Sequence, residues 1–412
     1  MTPNTMTLTR RFCYRTEMER HNISVIFGTR PEAIKLAPVI LALKEQPWCK
    51  CALCSTGQHR EMLQPVMRLF GFQCDVDLSL MQPDQHLGQF TSRAIAAIDT
   101  YLRSAKPDLV LVQGDTTTVF CAAVAAFYRR IPLGHVEAGL RTWNLEAPWP
   151  EEAHRVLVSR LARLHFAPTE SARINLIREG VPAGQVFVTG NTVIDALRFV
   201  QDRLQSGIEP KDFVAQLGVD PSFADHFLDR RNVHTLDRKL ILVTGHRRES
   251  FGTGLRNLCL AIRTLVDTYQ DVGVIYPVHL NPNVQTPVKQ ILGCHPRIQL
   301  IPPVGYEQFI WLMSKAFFIV SDSGGVQEEA PSLGKPVLVT RDVTERPEGV
   351  EAGTCRLVGT DPEPILREAT VLLRDHEEYQ RRSMLRNPYG DGQASARIVE
   401  ACRAFLSNSV RK

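Results

Sequence analysis

From residue 23 onward the chain alternates short, wholly apolar runs with longer stretches whose apolar residues recur at three- and four-residue spacings. Short apolar runs without polar alternation suit strands buried on both faces, and the periodic stretches between them suit helices that cover those faces. Strand and helix in steady alternation predict a parallel sheet with right-handed crossovers. In the first half strands are expected at residues 23–27, 51–55, 109–113 and 132–136, and the stretch 186–193 closes this half. In the second half they are expected at 239–244, 272–278, 298–301, 317–320 and 336–339. A crossing of helix, loop and charge at 203–237 separates the two, and helices at 362–373 and 377–407 follow the last strand. No sequence repeat relates the halves, which read as two copies of one architecture. The expected organisation is an extension at 1–21 outside the fold, a first domain at 22–200, a second at 201–376, and C-terminal helices at 377–412 that pack back across the boundary. The extension is polar and basic with no periodic apolar face, and Met18, just before the first strand, is a candidate start.

Ligands of such sheets sit beyond the C-terminal ends of the strands, so the strand-to-helix turns carry the candidate chemistry. The most informative is Ser321-Asp322-Ser323-Gly324-Gly325-Val326-Gln327-Glu328-Glu329. Two hydroxyls and two glycines stand where a helix begins, so unpaired N–H groups and the positive end of the helix dipole are open to an anion. This reads as a phosphate seat, and Glu328 and Glu329 one turn on suit a ligand whose next group offers hydroxyl donors, as a ribose does. An ordinary loop capped by serine is the alternative. In Gly28-Thr29-Arg30-Pro31-Glu32, Thr29 with Glu32 fits a capping box and Pro31 fits the first helical turn. Arg30 and Lys35 flank the same helix start, where cations oppose the dipole, and a bound anion accounts for them. Asp115 and Glu137, at the ends of two further strands, are expected to point into one crevice, although Asp115 could instead cap the helix that follows it. Glu151, His154 and Arg155 fall on adjoining faces of the next helix. Gln58 and His59 lie in the turn after the second strand, and His246 and Arg247 in the first turn of the second domain.

The 412 residues exceed what one core usually supports, which agrees with two domains. A hydrophobic content of 44% and a charged content of 22% describe a globular chain. The formal charge of +4 is small for this length and argues against a dedicated nucleic-acid binder, while allowing local basic pockets. The ten cysteines are scattered, and Cys49, Cys51 and Cys54 lack a second cluster at zinc-finger spacing, so reduced thiols in a cytoplasmic setting are expected. The longest apolar runs are strand-sized, and no membrane partner is expected.

Taken together, Gly28-Thr29-Arg30-Pro31-Glu32-Ala33-Ile34-Lys35, Gly114-Asp115-Thr116-Thr117, His135-Val136-Glu137-Ala138-Gly139-Leu140-Arg141-Thr142, Pro148-Trp149-Pro150-Glu151-Glu152, Gly245-His246-Arg247-Arg248-Glu249, Asp322-Ser323-Gly324-Gly325 and Thr344-Glu345-Arg346-Pro347-Glu348 resemble the non-hydrolysing UDP-N-acetylglucosamine 2-epimerases of bacteria. The resemblance runs from about residue 23 to near the C terminus. It implies two Rossmann-like domains in the GT-B arrangement with the active site in the interdomain cleft, a homodimer, and neither metal nor nicotinamide cofactor. The lack of a Gly-x-Gly-x-x-Gly turn after the first strand agrees.

The chemistry so implied is demanding, because no carbonyl at C1 acidifies the C2 hydrogen of the sugar. Loss of UDP from C1 makes that proton acidic and yields a 2-acetamidoglucal; returning the proton to the opposite face as UDP re-adds gives the manno epimer. Such a site needs cations and helix N-termini for the departing diphosphate, groups that handle protons on two faces, and closure against water. Carried over residue by residue, the resemblance makes Asp115, Glu137 and Glu151 the acid/base carboxylates and puts His246 beside the diphosphate. It assigns Arg30, Lys35 and Arg155 to the ligand from the first domain, Ser323, Gly324 and Gly325 to the diphosphate, and Glu329 to the ribose. Gln58, His59, Gln85, Arg247 and His279 match a region where a second UDP-N-acetylglucosamine activates such enzymes. Two departures stand out: Asp84 where relatives commonly carry glycine, and Leu145-Glu146 in place of the more usual Tyr-Ser. A GT-B glycosyltransferase, a hydrolysing epimerase and a non-catalytic nucleotide-sugar sensor are the competing readings. Products formed from UDP-N-acetylglucosamine without an acceptor separate the enzymes, and a sensor has no use for the carboxylate set.

Overall fold

A 7-stranded sheet carries the first half of the chain, with β1 (His21–Phe27), β2 (Cys49–Ser55), β3 (Val76–Asp77), β4 (Leu109–Gln113), β5 (Leu133–Val136), β6 (Leu164–Ala167) and β7 (Val186–Val188) in the order β3-β2-β1-β4-β5-β6-β7. A 6-stranded sheet carries the second, with β8 (Lys239–Thr244), β9 (Val272–Pro277), β10 (Ile298–Ile301), β11 (Phe318–Ser321), β12 (Val337–Val339) and β13 (Cys355–Leu357) in the order β10-β9-β8-β11-β12-β13. Every pairing is parallel. The computed structural model describes residues 20–58, 60–82, 84–207, 210–228, 238–245, 247 and 251–409. The apolar runs form strands where the pattern placed them. Unforeseen were β3, only two residues long, and β6 and β13, whose short apolar runs are broken by His165 and Arg356.

Alternation along each strand sends side chains to two different cores. Ile23, Val25 and Phe27 of β1 and Leu109 and Leu111 of β4 join one cluster, whereas Ile26, Val110 and Val112 join another on the opposite face. The first cluster does not stop at the domain boundary: it continues through Leu240 and Leu242 of β8 to Ile319 of β11. Each such fully buried aliphatic side chain contributes roughly 1.5–3 kcal/mol. The helix Arg30–Lys44, which follows β1, packs on the helices Thr192–Gly207 and Ala394–Ser409, so the last helix of the chain returns to the first sheet. Hydrogen bonds fix that return: Asp195 accepts from the Ser395 hydroxyl at 2.6 Å, and the Tyr389 carbonyl accepts from the Asn191 N–H at 2.7 Å. Two Rossmann-like units thus face each other in the GT-B arrangement. Strand order reverses between β1 and β4 in one and between β8 and β11 in the other, and both reversals open toward the cleft.

Candidate active site

The turns after β1, β4, β5, β8 and β11 converge on the cleft, and their side chains form two polar assemblies. The first lies in the N-terminal domain around Asp115. Gly114, at φ 84°, ends β4 in a conformation that favours glycine, and the next residue presents its carboxylate to Arg155 at 2.6 Å. Arg155 also grips Glu152 at 2.6 Å, while Glu152 accepts the N–H groups of Thr142 and Trp143, each at 3.0 Å, and so pins the loop before its own helix Glu151–Leu161. That loop carries the Leu145-Glu146 departure. His154 bonds the Asp115 carbonyl at 2.8 Å and stacks on Phe120. His135 is fully enclosed, and burial, helped by Arg141 and Arg155, pushes it down to about 4. It is therefore neutral, and its Nε2–H donates to the Gly114 carbonyl at 2.7 Å. Glu151 heads the helix one turn before Arg155 and makes no hydrogen bond or ion pair among the described residues.

The second assembly joins the domains. Lys35, 8% exposed, donates to Glu137 and lies 3.1 Å from Glu328 of the other domain. Burial opposes its charge, and Glu137 and Glu328 overcome that cost and raise it above the usual lysine range. Glu137 takes two further donors, Gln113 and, at 2.8 Å, Asn191. Its backbone is at φ 64°, left-handed for a residue other than glycine, which costs on the order of 1–3 kcal/mol. Glu328 in turn accepts from Arg346 at 2.6 Å, and Arg346 bonds Glu345 at 2.6 Å. Burial works against the Arg346 charge, but Glu328 and Glu345 hold the guanidinium firmly protonated. Burial likewise opposes the Glu345 carboxylate, and Arg346, Arg341 and Arg247 outweigh it, taking the group well below the usual range. Four cations and three buried carboxylates thus interlock, and one guanidinium sits beside the glycine turn: a Cβ on Gly324 would come within 2.5 Å of the Arg346 guanidinium carbon.

In that turn Ser321 accepts the Ser323 N–H at 3.0 Å, Asp322 accepts the Arg247 N–H at 2.8 Å, and Gln327 returns its N–H to the Ser323 carbonyl. No acceptor among the described residues meets the N–H groups of Gly324 and Gly325, and Gly325 is open to the cleft. At the far end of the same short helix, Gly324–Glu329, the Tyr306 hydroxyl donates to Glu329 at 2.6 Å, with Arg30 of the other domain nearby. Burial first, with Glu328, pushes the Glu329 carboxyl up to about 7 against Tyr306, Lys35 and Arg30. Arg30 also reaches the Val304 carbonyl at 3.4 Å. Glu32, expected as a cap, accepts the N–H groups of Gly28 and Thr29 and the Thr116 hydroxyl, tying the turns after β1 and β4 together.

Contacts across the domains thus bring Lys35 and Glu137 to Glu328 beside the glycine turn, and Arg30 to Glu329, while Asp115 and Arg155 belong to the neighbouring assembly and Glu151 to the start of its helix. His246 and His59 lie outside the described residues. Of the remaining expected residues, Gln58 accepts from Thr118 at 3.2 Å, Gln85 is held by Arg93, Arg247 reaches Glu345 at 3.3 Å, and His279 accepts the Asn281 N–H at 3.1 Å. Among the described residues Gln85 makes no hydrogen bond to Gln58 or Arg247. Asp84 takes φ 51°, the conformation a glycine would favour, so the chain keeps its turn there with one of the few side chains that tolerate it. Arg346, Glu345, Gln113 and Asn191 were not singled out from the sequence. Arg346 and Glu345 stood in the Thr344–Glu348 motif without a role; Gln113 and Asn191 gave no separate signal.

A diphosphate flanked by hydroxyl-bearing sugars suits this arrangement of open N–H groups, clustered cations and carboxylates. The profile of the family described as UDP-N-acetylglucosamine 2-epimerase matches residues 41–403. The UDP-N-acetylglucosamine 2-epimerase of Escherichia coli (strain K12) is 53% identical over 381 residues, covering 92% of this chain and 98% of that protein. The crystal structure of the Neisseria meningitidis UDP-GlcNAc 2-epimerase bound to UDP-GlcNAc is 47% identical and superposes with a TM-score of 0.85 over 93% of this chain and 100% of that one. The Methanocaldococcus jannaschii UDP-GlcNAc 2-epimerase in complex with UDP-GlcNAc and UDP is 32% identical, with a TM-score of 0.76 over 93% and 99% of the two chains. Similarity that spans nearly the whole length, in sequence and in backbone alike, makes this chain a member of the UDP-N-acetylglucosamine 2-epimerase family.

Proposed function

We propose that the protein is an isomerase that interconverts UDP-N-acetylglucosamine and UDP-N-acetylmannosamine without net hydrolysis. The observation that carries this reading is the juxtaposition across one cleft of Asp115 and Glu137 with the Lys35–Glu328–Arg346 assembly beside the Gly324-Gly325 turn. The diphosphate docks on the open N–H groups of Gly324 and Gly325, with Arg346, Arg30 and Lys35 offsetting its charge and, as the family resemblance implies, His246 assisting its departure. As the C1–O bond breaks, its electron pair leaves with UDP and the C2 proton passes to a carboxylate, giving the 2-acetamidoglucal. Re-addition of UDP at C1 with protonation of C2 on the other face gives the epimer. Asp115, whose Oδ1 has no partner among the described residues, and Glu151 suit proton transfer. The Glu137 oxygens already accept Lys35, Gln113 and Asn191, which suits them to fixing charge and geometry as well as to acid/base work. Turnover in heavy water tests the reading: the product should carry deuterium at C2, and retention of the original proton would overturn it.

Glu329 accepts the ribose hydroxyls in this scheme, and a cavity of about 400 Å³ lined by Arg30, Val304 and Tyr306 leaves room beside it for the base. A carboxyl titrating near 7 is an acceptor above that pH and loses the role as pH falls through it. The Tyr306 hydroxyl lowers the Glu329 value, so Tyr306→Phe raises it further. The KM of Tyr306→Phe is therefore expected to climb more steeply than that of the parent chain between pH 8.5 and pH 6.5, with kcat at saturation little changed. Parallel pH profiles would remove Glu329 from the ribose.

The same proposal includes a homodimer, a second activating UDP-N-acetylglucosamine near Gln58, His59, Gln85, Arg247 and His279, and a cytoplasmic supply of the manno epimer for cell-surface polysaccharide. Among the described residues no helix is long and apolar enough to cross a membrane. Light scattering of the purified chain checks the dimer.

A further inference from the structure

A cavity of about 960 Å³ opens at the far end of the first sheet from the cleft, beneath the N-terminal ends of β5, β6 and β7. Phe127 and Tyr128, which end the helix Thr117–Tyr128, form one wall and are 57% and 72% exposed. Arg130 and Arg163 project from turns around it and Arg160 from the end of the helix Glu151–Leu161, and no carboxylate lines it among the described residues. The neighbouring Arg129 is paired with Asp99 at 2.6 Å, but Arg130, Arg160 and Arg163 have no ion pair among the described residues. His165 closes the back of the cavity at 0% exposure, and neither of its ring nitrogens has a hydrogen-bond partner. Burial and the adjacent His135 push it down to about 3, against a weaker pull from the Ala162 backbone, so the ring is a neutral donor and acceptor.

We propose that this cavity is a second ligand site that takes a nucleoside phosphate. Uncompensated guanidinium forks match phosphate oxygens, exposed aromatic rings match the face of a base, and the unpartnered imidazole offers a hydrogen bond at the back. The volume exceeds what inorganic phosphate needs and lies in the range of small-molecule sites. Three positive side chains around a concave wall fit a small polyanion better than an uncharged sugar. A nucleic acid would call for a basic stripe along the surface, on a chain whose formal charge is only +4. The site stands apart from the cleft, but its floor is the back of the network around Asp115: the Ser159 hydroxyl donates to the Arg155 carbonyl at 2.8 Å, and Arg155 holds Asp115.

The test is calorimetric titration of the full-length protein, with a single equivalent of UDP present to fill the tighter cleft site, with ATP, GTP, CTP and UTP in turn. At least one of them should bind. Its affinity should fall at least about tenfold in Arg160→Ala/Arg163→Ala, the loss of one charge-assisted contact, and should also fall in Tyr128→Ala. These side chains are exposed, so the melting temperature and UDP affinity should match the parent. Absence of binding by all four nucleotides, or unchanged affinity in the double variant, would overturn the site. Pyrophosphate binding as tightly as the nucleotide would overturn the assignment of the base to the aromatic wall.

Discussion

Asp115→Asn is expected to turn over about 10²–10⁴-fold more slowly than the parent chain while binding UDP as tightly. The isostere keeps the shape of the β4 turn, and Arg155 retains Glu152, so no buried guanidinium is orphaned. The cost to stability should be about 1 kcal/mol, the net worth of an ordinary hydrogen bond. UDP affinity should not fall, because a carboxylate near a diphosphate opposes binding. If Asp115 acts on reprotonation, the variant should also release glucal and free UDP, since elimination still proceeds and the intermediate escapes when the domains part. Calorimetry with UDP and mass spectrometry of the products read both results. Loss of UDP binding in step with activity would make Asp115 a structural residue.

The second large effect belongs to Glu328, which is 1% exposed and bonded from both sides by cations. Glu328→Gln leaves Lys35 with Glu137 alone and Arg346 with Glu345 alone, each with a buried charge only partly compensated. Removing one partner from a buried pair costs about 3–5 kcal/mol, a large share of the 5–15 kcal/mol that holds an ordinary domain together. The expected readout is a lower urea midpoint at an unchanged slope, together with weaker UDP binding, because the two domains lose a direct link. A midpoint equal to that of the parent would mean that the assembly around Lys35 carries little of the fold.

The paired cations also mark where sequence reasoning stopped. Apolar runs announce buried strands, and a carboxylate at a strand end announces a cleft; β1, β4, β5, β8 and β11 and their turns were legible for that reason. What periodicity cannot supply is who pairs with whom. Lys35 reads from the sequence as a cation waiting for an anion, whereas folding brings it Glu137 from 102 residues away and Glu328 from the other domain. Arg155 reads as a ligand contact and spends its guanidinium on Asp115 and Glu152. Asn191 and Gln113 were silent because a neutral amide has no periodic or charge signal until a partner gives it one.

Position 137 has a consequence for reading relatives. Its backbone would be at ease with glycine, and the sheet offers no reason for a carboxylate there; the side chain stands against that preference, bonded by Lys35, Gln113 and Asn191 and, in the proposed reaction, serving the chemistry. In a lineage that kept the nucleotide seat but abandoned the reaction, selection on the carboxylate would relax and the backbone preference would take over. Glycine or asparagine at this one position, with the Gly324-Gly325 turn intact, would then identify a descendant that recognises nucleotide sugars and no longer transforms them.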